Sequence, residues 1–599
     1  MRREKPAKIK IPADARVHLG KASRLKPVLS VADSPGLGFT ALRAATDFVA
    51  DVDTTYQPDD AGMLPRQRLE YQLTPLEEEV FLEQNGLVTS YGIFGAPGSG
   101  KTFLFKYMLR QILALHRSDP DRKVGALILD PKAALIEDIE AIVRLPDVAR
   151  SDDLVIINAE TLIRKKQEGV DEDVNVIDCA VDTWALADLL VLAARSAGIT
   201  ASEDYWFLEW ANLFGASLFL LNNFYLKGVS KPQDVVTLRE LLNALLIVEP
   251  DKGAEGTPGG DKGVRGIQLL ASEAAKQLKT MDDEAKRDDA RLAISQIERF
   301  FKADYVHTIM AFVSRAYGSF QRSGYACFSP SGRTKGSRKS FYDRIIEDGK
   351  IVLVSVSPAD PLVAKTLCTL VKSLFQQTVI QRLDRYMREE LHNYQRTVLL
   401  GCDEYAEIAS EVPGQPMGDG RFFSLAREFG CMGLVATQSV NVLQATSLKE
   451  NWKSVFSTLG AKIFMRLADN ETAKEASELA GKSTWYVTSR GVSHGKEGFG
   501  GSEQKSIQQY ETLPTEVTTQ GFIMGDAVAI GSLDGGAESK NGEAPTMLHF
   551  FKVPGPKEQD EMVAFMAAQA VPHPASGATQ EEFSMSAAAP RRRVVFEED

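Results

Sequence analysis

Eight consecutive residues, Gly95-Ala96-Pro97-Gly98-Ser99-Gly100-Lys101-Thr102, combine the types needed to hold a chain of phosphates. The three glycines let successive backbone amides curl inward toward an anion, and a helix starting behind them adds the positive end of its dipole. Lys101 offers a mobile charge for β- and γ-phosphates, and Thr102 a hydroxyl ligand for Mg²⁺. ATP with Mg²⁺ is therefore the cofactor pair expected here.

A phosphate loop alone binds nucleotide; hydrolysis also needs a carboxylate to orient the metal and a group to align water. Val398-Leu399-Leu400-Gly401-Cys402-Asp403-Glu404 ends an apolar strand on two acids. We expect Asp403 to hold the water shell of Mg²⁺, on a strand lying beside the loop, and Glu404 to polarise the attacking water. Gln438, in Val435-Ala436-Thr437-Gln438-Ser439, is placed to sense the γ-phosphate, with helix capping as its alternative role. Arg427, in Leu425-Ala426-Arg427-Glu428-Phe429-Gly430, is a candidate arginine finger toward a neighbouring subunit, with a surface salt bridge as the alternative.

These side chains need a scaffold of short apolar strands. Leu87–Phe94 leads into the loop, and a helical run from Phe103 to Leu115 leaves it. Further runs follow at Val124–Leu129, closing on Asp130-Pro131-Lys132, then at Leu154–Asn158, Lys350–Val356, Thr397–Cys402, Met432–Ala436 and Ala461–Met465. Strands alternating with helices predict an α/β fold with a doubly wound parallel sheet. From about Asp182 to Asp343 the pattern becomes helix after helix, broken by the glycine-rich stretch Lys252–Gly260, which predicts an all-α insertion. Tyr205–Leu226 is long enough to span a bilayer but carries Glu209, Asn212, Asn222 and Asn223, so it reads as a buried helix with Trp206, Trp210, Leu213 and Phe214 on one face.

The chain of 599 residues has room for several cores, and its 44% hydrophobic and 25% charged content is that of a soluble globular protein. A net charge of -12 does not advertise a nucleic-acid binder, although a ring can be acidic outside and basic along its channel. Five scattered cysteines, Cys179, Cys327, Cys368, Cys402 and Cys431, suggest neither a disulfide framework nor a zinc site, and point to a reducing cytoplasm. The start of the chain lacks the apolar core of a secretory signal and is basic, at Arg2, Arg3, Lys5, Lys8 and Lys10. Arg333, Lys335, Arg338 and Lys339 form a second basic cluster that suits phosphate or an ordinary solvated loop.

Taken in order, the phosphate loop, Leu129-Asp130-Pro131-Lys132, the Trp206 helix, Asp403-Glu404-Tyr405-Ala406, Ala436-Thr437-Gln438-Ser439, Asp469–Ala473, Gly481–Thr484 and Glu511–Pro514 resemble the TraG/TraD family of conjugation and type IV secretion coupling proteins, grouped with the HerA and FtsK motors. The resemblance covers about 86–553. It implies a RecA-like P-loop NTPase core, an all-helical domain, a homohexamer, and delivery of DNA or secreted protein, with secretion-channel or relaxosome proteins as partners. The family's membrane helices have no counterpart before Gly95, so the expectation is a cytoplasmic member that is either soluble or docked at the inner membrane through a separate membrane protein. The corresponding division is an N-terminal extension at 1–85, nucleotide-binding segments at 86–181 and 346–555, the all-α domain at 182–345, and a tail at 556–599 forming a short helix before disorder. Two other readings are a nucleotide-dependent recruitment platform for secreted proteins and a HerA-like DNA translocase in repair or defence.

Overall fold

The computed structural model describes residues 15–31, 67–158, 160–161, 167, 174–199, 204–232, 235–249, 264–278, 281, 283–318, 339–357, 359–411, 418–446, 448–495, 498–531, 533 and 548–569. Its centre is a run of seven parallel strands. In spatial order these are β11 (Ala461–Phe464), β3 (Ser90–Phe94), β10 (Cys431–Thr437), β9 (Val398–Cys402), β4 (Gly125–Asp130), β8 (Ile351–Ser355) and β5 (Leu154–Ile157). Because side chains alternate across a strand, each apolar run feeds two cores. Tyr91, Ile93, Ala126, Ile128, Leu399 and Leu434 face one core, packed on the helices Lys101–Ala114 and Ile136–Arg144. Phe94, Leu127, Leu129, Val354 and Leu400 face the other, under the long helix Pro361–Met387, and that core runs on into the helical insertion. With both faces covered, the parallel strands are buried throughout, as their near-continuous apolar sequences require.

Three features depart from the sequence expectations. The sheet is mostly parallel, as expected, and β14 (Asp526–Gly531), β15 (Leu548–Lys552), β1 (Arg16–Val31) and β2 (Gln67–Glu83) continue it antiparallel from β11, making eleven strands among the described residues. Residues expected to form a separate extension, 1–85, thus contribute two strands to the nucleotide-binding sheet. Val17, Leu19, Val80 and Leu82 are buried, and Gln111 of the helix behind the phosphate loop clamps His18 by accepting from its backbone N–H at 2.8 Å and donating to its carbonyl at 3.0 Å. In addition, β12 (Lys482–Gly495) and β13 (Gly498–Glu511) form a long antiparallel ribbon outside the main sheet. The expected strand start at Leu87 is instead a short 3₁₀ turn, Gln84–Val88.

The insertion is helical as expected, with helices Thr183–Ser196, Tyr205–Asn223, Leu238–Leu246, Gly266–Gln277, Glu284–Lys302, Val306–Tyr317 and Phe341–Asp348; its only described strands are the two-residue pair β6 (Val248–Glu249) and β7 (Val264–Arg265). Trp210 is fully buried at its centre, with Phe214 edge-on at 5.7 Å and Phe312 and Tyr317 beyond. Trp210→Ala is expected to destabilise this domain by about 3–5 kcal/mol, the usual loss for an emptied aromatic site. Denaturant unfolding of the full chain measures it, and a loss below about 1 kcal/mol would mean that the site collapses or is not core.

The glycine-rich stretch Lys252–Gly260, Cys327, Arg333, Lys335, Arg338, the first fourteen residues and the chain beyond Gln569 lie outside the described residues. Lys339 is engaged locally, with Glu347 at 3.2 Å and Asp348 at 2.6 Å, which fits the solvated-loop alternative for that residue. A helix, Pro556–Gln569, begins the C-terminal segment. No described helix is long and apolar enough to cross a membrane.

Candidate nucleotide site

The phosphate loop joins β3 to the helix Lys101–Ala114 at the carboxyl edge of the parallel strands. Its backbone is tied down on both sides: Gly95 N–H donates to the Thr437 carbonyl at 3.2 Å and Ala96 N–H to the Arg466 carbonyl at 2.8 Å. Gly98 and Gly100 take φ of 75° and 99°, left-handed values that side chains resist, and this bends the loop around its own amides. No side chain caps the helix start at Gly100. Its free N–H groups and dipole thus remain directed at the loop, as an anion requires.

The distant acidic pair meets this loop. Thr102 Oγ1 donates to Asp403 Oδ2 at 2.6 Å, Lys101 Nζ donates to Glu404 Oε1 at 3.1 Å, and Lys101 lies 3.7 Å from Asp403 Oδ1. Residues some three hundred positions apart therefore share one pocket. One expectation is corrected. The strand carrying the pair, β9, does not lie beside the loop's strand, because β10 is inserted between β3 and β9. β10 ends at Thr437, and Gln438 follows at the same edge, its amide 3.4 Å from Glu404 Oε2. The inserted strand thereby delivers a third polar residue to the edge where loop and acids meet.

Arg427 behaves differently. It is exposed at the end of the helix Asp419–Ala426, just before β10 begins, and so lies at the opposite edge of the sheet from its own phosphate loop. Two residues that sequence reasoning did not select join the pocket. Lys132 Nζ pairs with Glu404 Oε1 at 3.1 Å. It is carried there by Asp130, whose buried carboxylate accepts from Ala134 N–H, Leu135 N–H and Ser355 Oγ and so shapes the turn. Arg466, half-buried just past β11, reaches over the loop to the Pro97 carbonyl at 3.4 Å. The signal for both was their position immediately beyond a buried parallel strand, where such sheets gather ligand contacts.

Burial alone would raise the Glu404 carboxyl, but Lys101 and then Lys132 outweigh it and hold it below the usual carboxylate range. It is therefore ionised at neutral pH. Asp403 Oδ1 is buried with no hydrogen-bond partner, and Ser99 Oγ in the loop is likewise unpartnered. Such groups are rare unless something else satisfies them. A hard cation takes oxygen ligands such as Thr102 Oγ1 and Asp403, and the loop amides suit a polyphosphate, so the donor set fits Mg²⁺ with a nucleoside triphosphate.

A mostly parallel sheet, a glycine loop at its carboxyl edge and an acidic pair one strand removed define a P-loop NTPase fold. Residues 397–520, from the start of β9 past the β12–β13 ribbon, match the family described as the TraM recognition site of TraD and TraG. None of the curated proteins matches the chain significantly. Among solved structures it is similar to the bacterial conjugative coupling protein TrwBdeltaN70 in an unbound form, at 11% identity and a TM-score of 0.48 over 79% of this chain and 87% of that one. It is also similar to the plasmid coupling protein TrwB with ADP and Mg²⁺, at 12% identity and a TM-score of 0.46 over 78% and 86%. VirB4 of Thermoanaerobacter pseudethanolicus shows 11% identity and a TM-score of 0.39 over 79% and 90%.

Proposed function

We propose that the chain is an ATP-hydrolysing motor of the conjugative coupling type, which moves DNA or a nucleoprotein toward a secretion channel. The observation that carries this reading is the convergence of Lys101, Thr102, Asp403, Glu404 and Gln438 at the carboxyl edge of one sheet. When bound, Mg²⁺ supplies positive charge to the β- and γ-phosphate oxygens. The loop amides and Lys101 orient the triphosphate, Thr102 and Asp403 hold the metal with its water shell, and Glu404 accepts a proton from the attacking water. Gln438 lies close enough to Glu404 to report whether a γ-phosphate is present.

Arg427 fits a role between copies: exposed and remote from its own loop, it serves a neighbour's phosphates in a homohexamer. The family segment at 397–520, named for recognition of TraM, supports docking of a relaxosome-type protein on this half of the chain. It also keeps a second reading in play, a recruitment platform whose nucleotide state controls binding of protein clients.

Phosphate release by the full chain, with and without double-stranded DNA, single-stranded DNA and candidate client proteins, decides between them. The motor reading expects DNA to raise turnover about tenfold, an effect that fades steeply with added salt as phosphate contacts are screened. Stimulation by protein clients alone, with no response to DNA, would replace the motor with the platform.

A further inference from the structure

Glu404 adopts a conformation that its side chain disfavours: φ 63° and ψ 46°, left-handed and not glycine. Such geometry persists only where the surroundings over-determine it. Here they do so from the next residue. The Tyr405 hydroxyl donates to Asp419 Oδ2, in a cluster where neither Lys372 nor Asp419 has any exposed side-chain surface.

Every polar atom at the centre of the cluster is used. Lys372 Nζ donates to the Ile408 carbonyl at 2.6 Å, Ser410 Oγ at 3.0 Å and Asp419 Oδ2 at 2.6 Å. Asp419 also receives the Ser410 N–H at 2.9 Å and Gln376 Nε2 at 2.8 Å. Lys372 and Gln376 stand one turn apart on the helix Pro361–Met387, so the loop 405–410 is fastened to the longest helix of the core. The Lys372 ammonium also lies 5.7 Å above the Tyr405 ring.

Stability is a weak reason for such a cluster, because desolvating an ion pair costs about as much as the pairing returns, and apolar residues of equal volume would fill the same space. What the polar set adds is direction. It fixes the backbone that leaves Glu404, and a carboxylate that must meet a water molecule loses much of its effect when displaced by an ångström. Asp419 is also the first residue of the helix that leads to Arg427, so one buried carboxylate anchors the roots of both side chains.

We propose that Lys372, Asp419 and Tyr405 are positioning residues that hold the Glu404 carboxylate in line for hydrolysis. The inference rests on the ATPase reading above. Tyr405→Phe in the full chain removes one hydroxyl and strands no charge. It is expected to lower kcat about 10- to 100-fold, with the Kd for a fluorescent ATP analogue within about twofold of wild type and the melting temperature nearly unchanged. The double variant Lys372→Met/Asp419→Leu removes both charges together and is expected to remain folded with the same selective loss of kcat. A Tyr405→Phe protein that turns over at the wild-type rate while Glu404→Gln is impaired overturns the proposal. So does a parallel loss of affinity and melting temperature, which would make the cluster a plain structural clamp. Equal turnover by wild type and Glu404→Gln would instead remove the ATPase reading, and this inference with it.

Discussion

Glu404→Gln is expected to bind ATP with Mg²⁺ as tightly as wild type and to turn it over about 100- to 10,000-fold more slowly, the usual contribution of a placed general base. The substitution keeps the shape and removes only the charge and the basicity. Asp403, Thr102 and the loop amides, which do not depend on Glu404, retain the nucleotide. The pH dependence follows from the direction of the shift. With burial opposing and Lys101 and Lys132 prevailing, the folded-state pKa lies below the unfolded one. The stabilising pairing is therefore fully present above the unfolded pKa and disappears only as pH falls through the lower folded value. Turnover should accordingly stay flat through the neutral range and fall on the acid side below the ordinary carboxylate pKa. Phosphate-release rates across pH, beside nucleotide titrations of both proteins, measure each part, and a Glu404→Gln protein within threefold of wild type would remove Glu404 from the chemistry.

The parts of this site written contiguously in the chain are legible from the residues alone. Gly95–Thr102 declares itself because loop, lysine and hydroxyl must be adjacent to curl around one anion. The seven parallel strands are legible as well, since strands buried on both faces must be apolar at nearly every position, as Leu127-Ile128-Leu129 and Ile351–Val354 are. The antiparallel strands are not. β1 carries Lys21, Arg24 and Lys26 among its apolar positions, and its place is fixed by pairing with β2 and β15 and by Gln111, contacts that no local period encodes. The β12–β13 ribbon, with Gly491, Gly495, Gly498, Gly500 and Gly501, has the composition of a loop and is defined by its cross-strand ladder. Spatial order is equally hidden: nothing near Asp403 announces that β10 separates it from the loop, because strand insertion depends on which crossover packs on which face. Lys132 is noticed only as part of a motif and Arg466 not at all, because the role of each becomes visible only once its strand is known to end at the shared edge.

Lys101→Ala is expected to separate from Glu404→Gln in the opposite sense, losing nucleotide affinity as well as turnover. Lys101 is 6% exposed and is shared between Glu404 at 3.1 Å and Asp403 at 3.7 Å. A charge-assisted hydrogen bond from such a group contributes about 1.5–3 kcal/mol, so its loss should weaken binding by about 10- to 100-fold. The penalty extends beyond the missing contact. Without Lys101, only Lys132 still pairs with Glu404, and a highly charged triphosphate must then approach an acidic pair that has lost the cation shared by both carboxylates. Added Mg²⁺ would recover part of the affinity by neutralising Asp403, but not the rate, because the γ-phosphate would still lack its ammonium partner. Titrating a fluorescent ATP analogue at several Mg²⁺ concentrations tests this directly. Wild-type affinity in Lys101→Ala at every concentration would mean that the loop does not receive the phosphates, and the chemical assignment of Asp403 and Glu404, which depends on where those phosphates lie, would go with it.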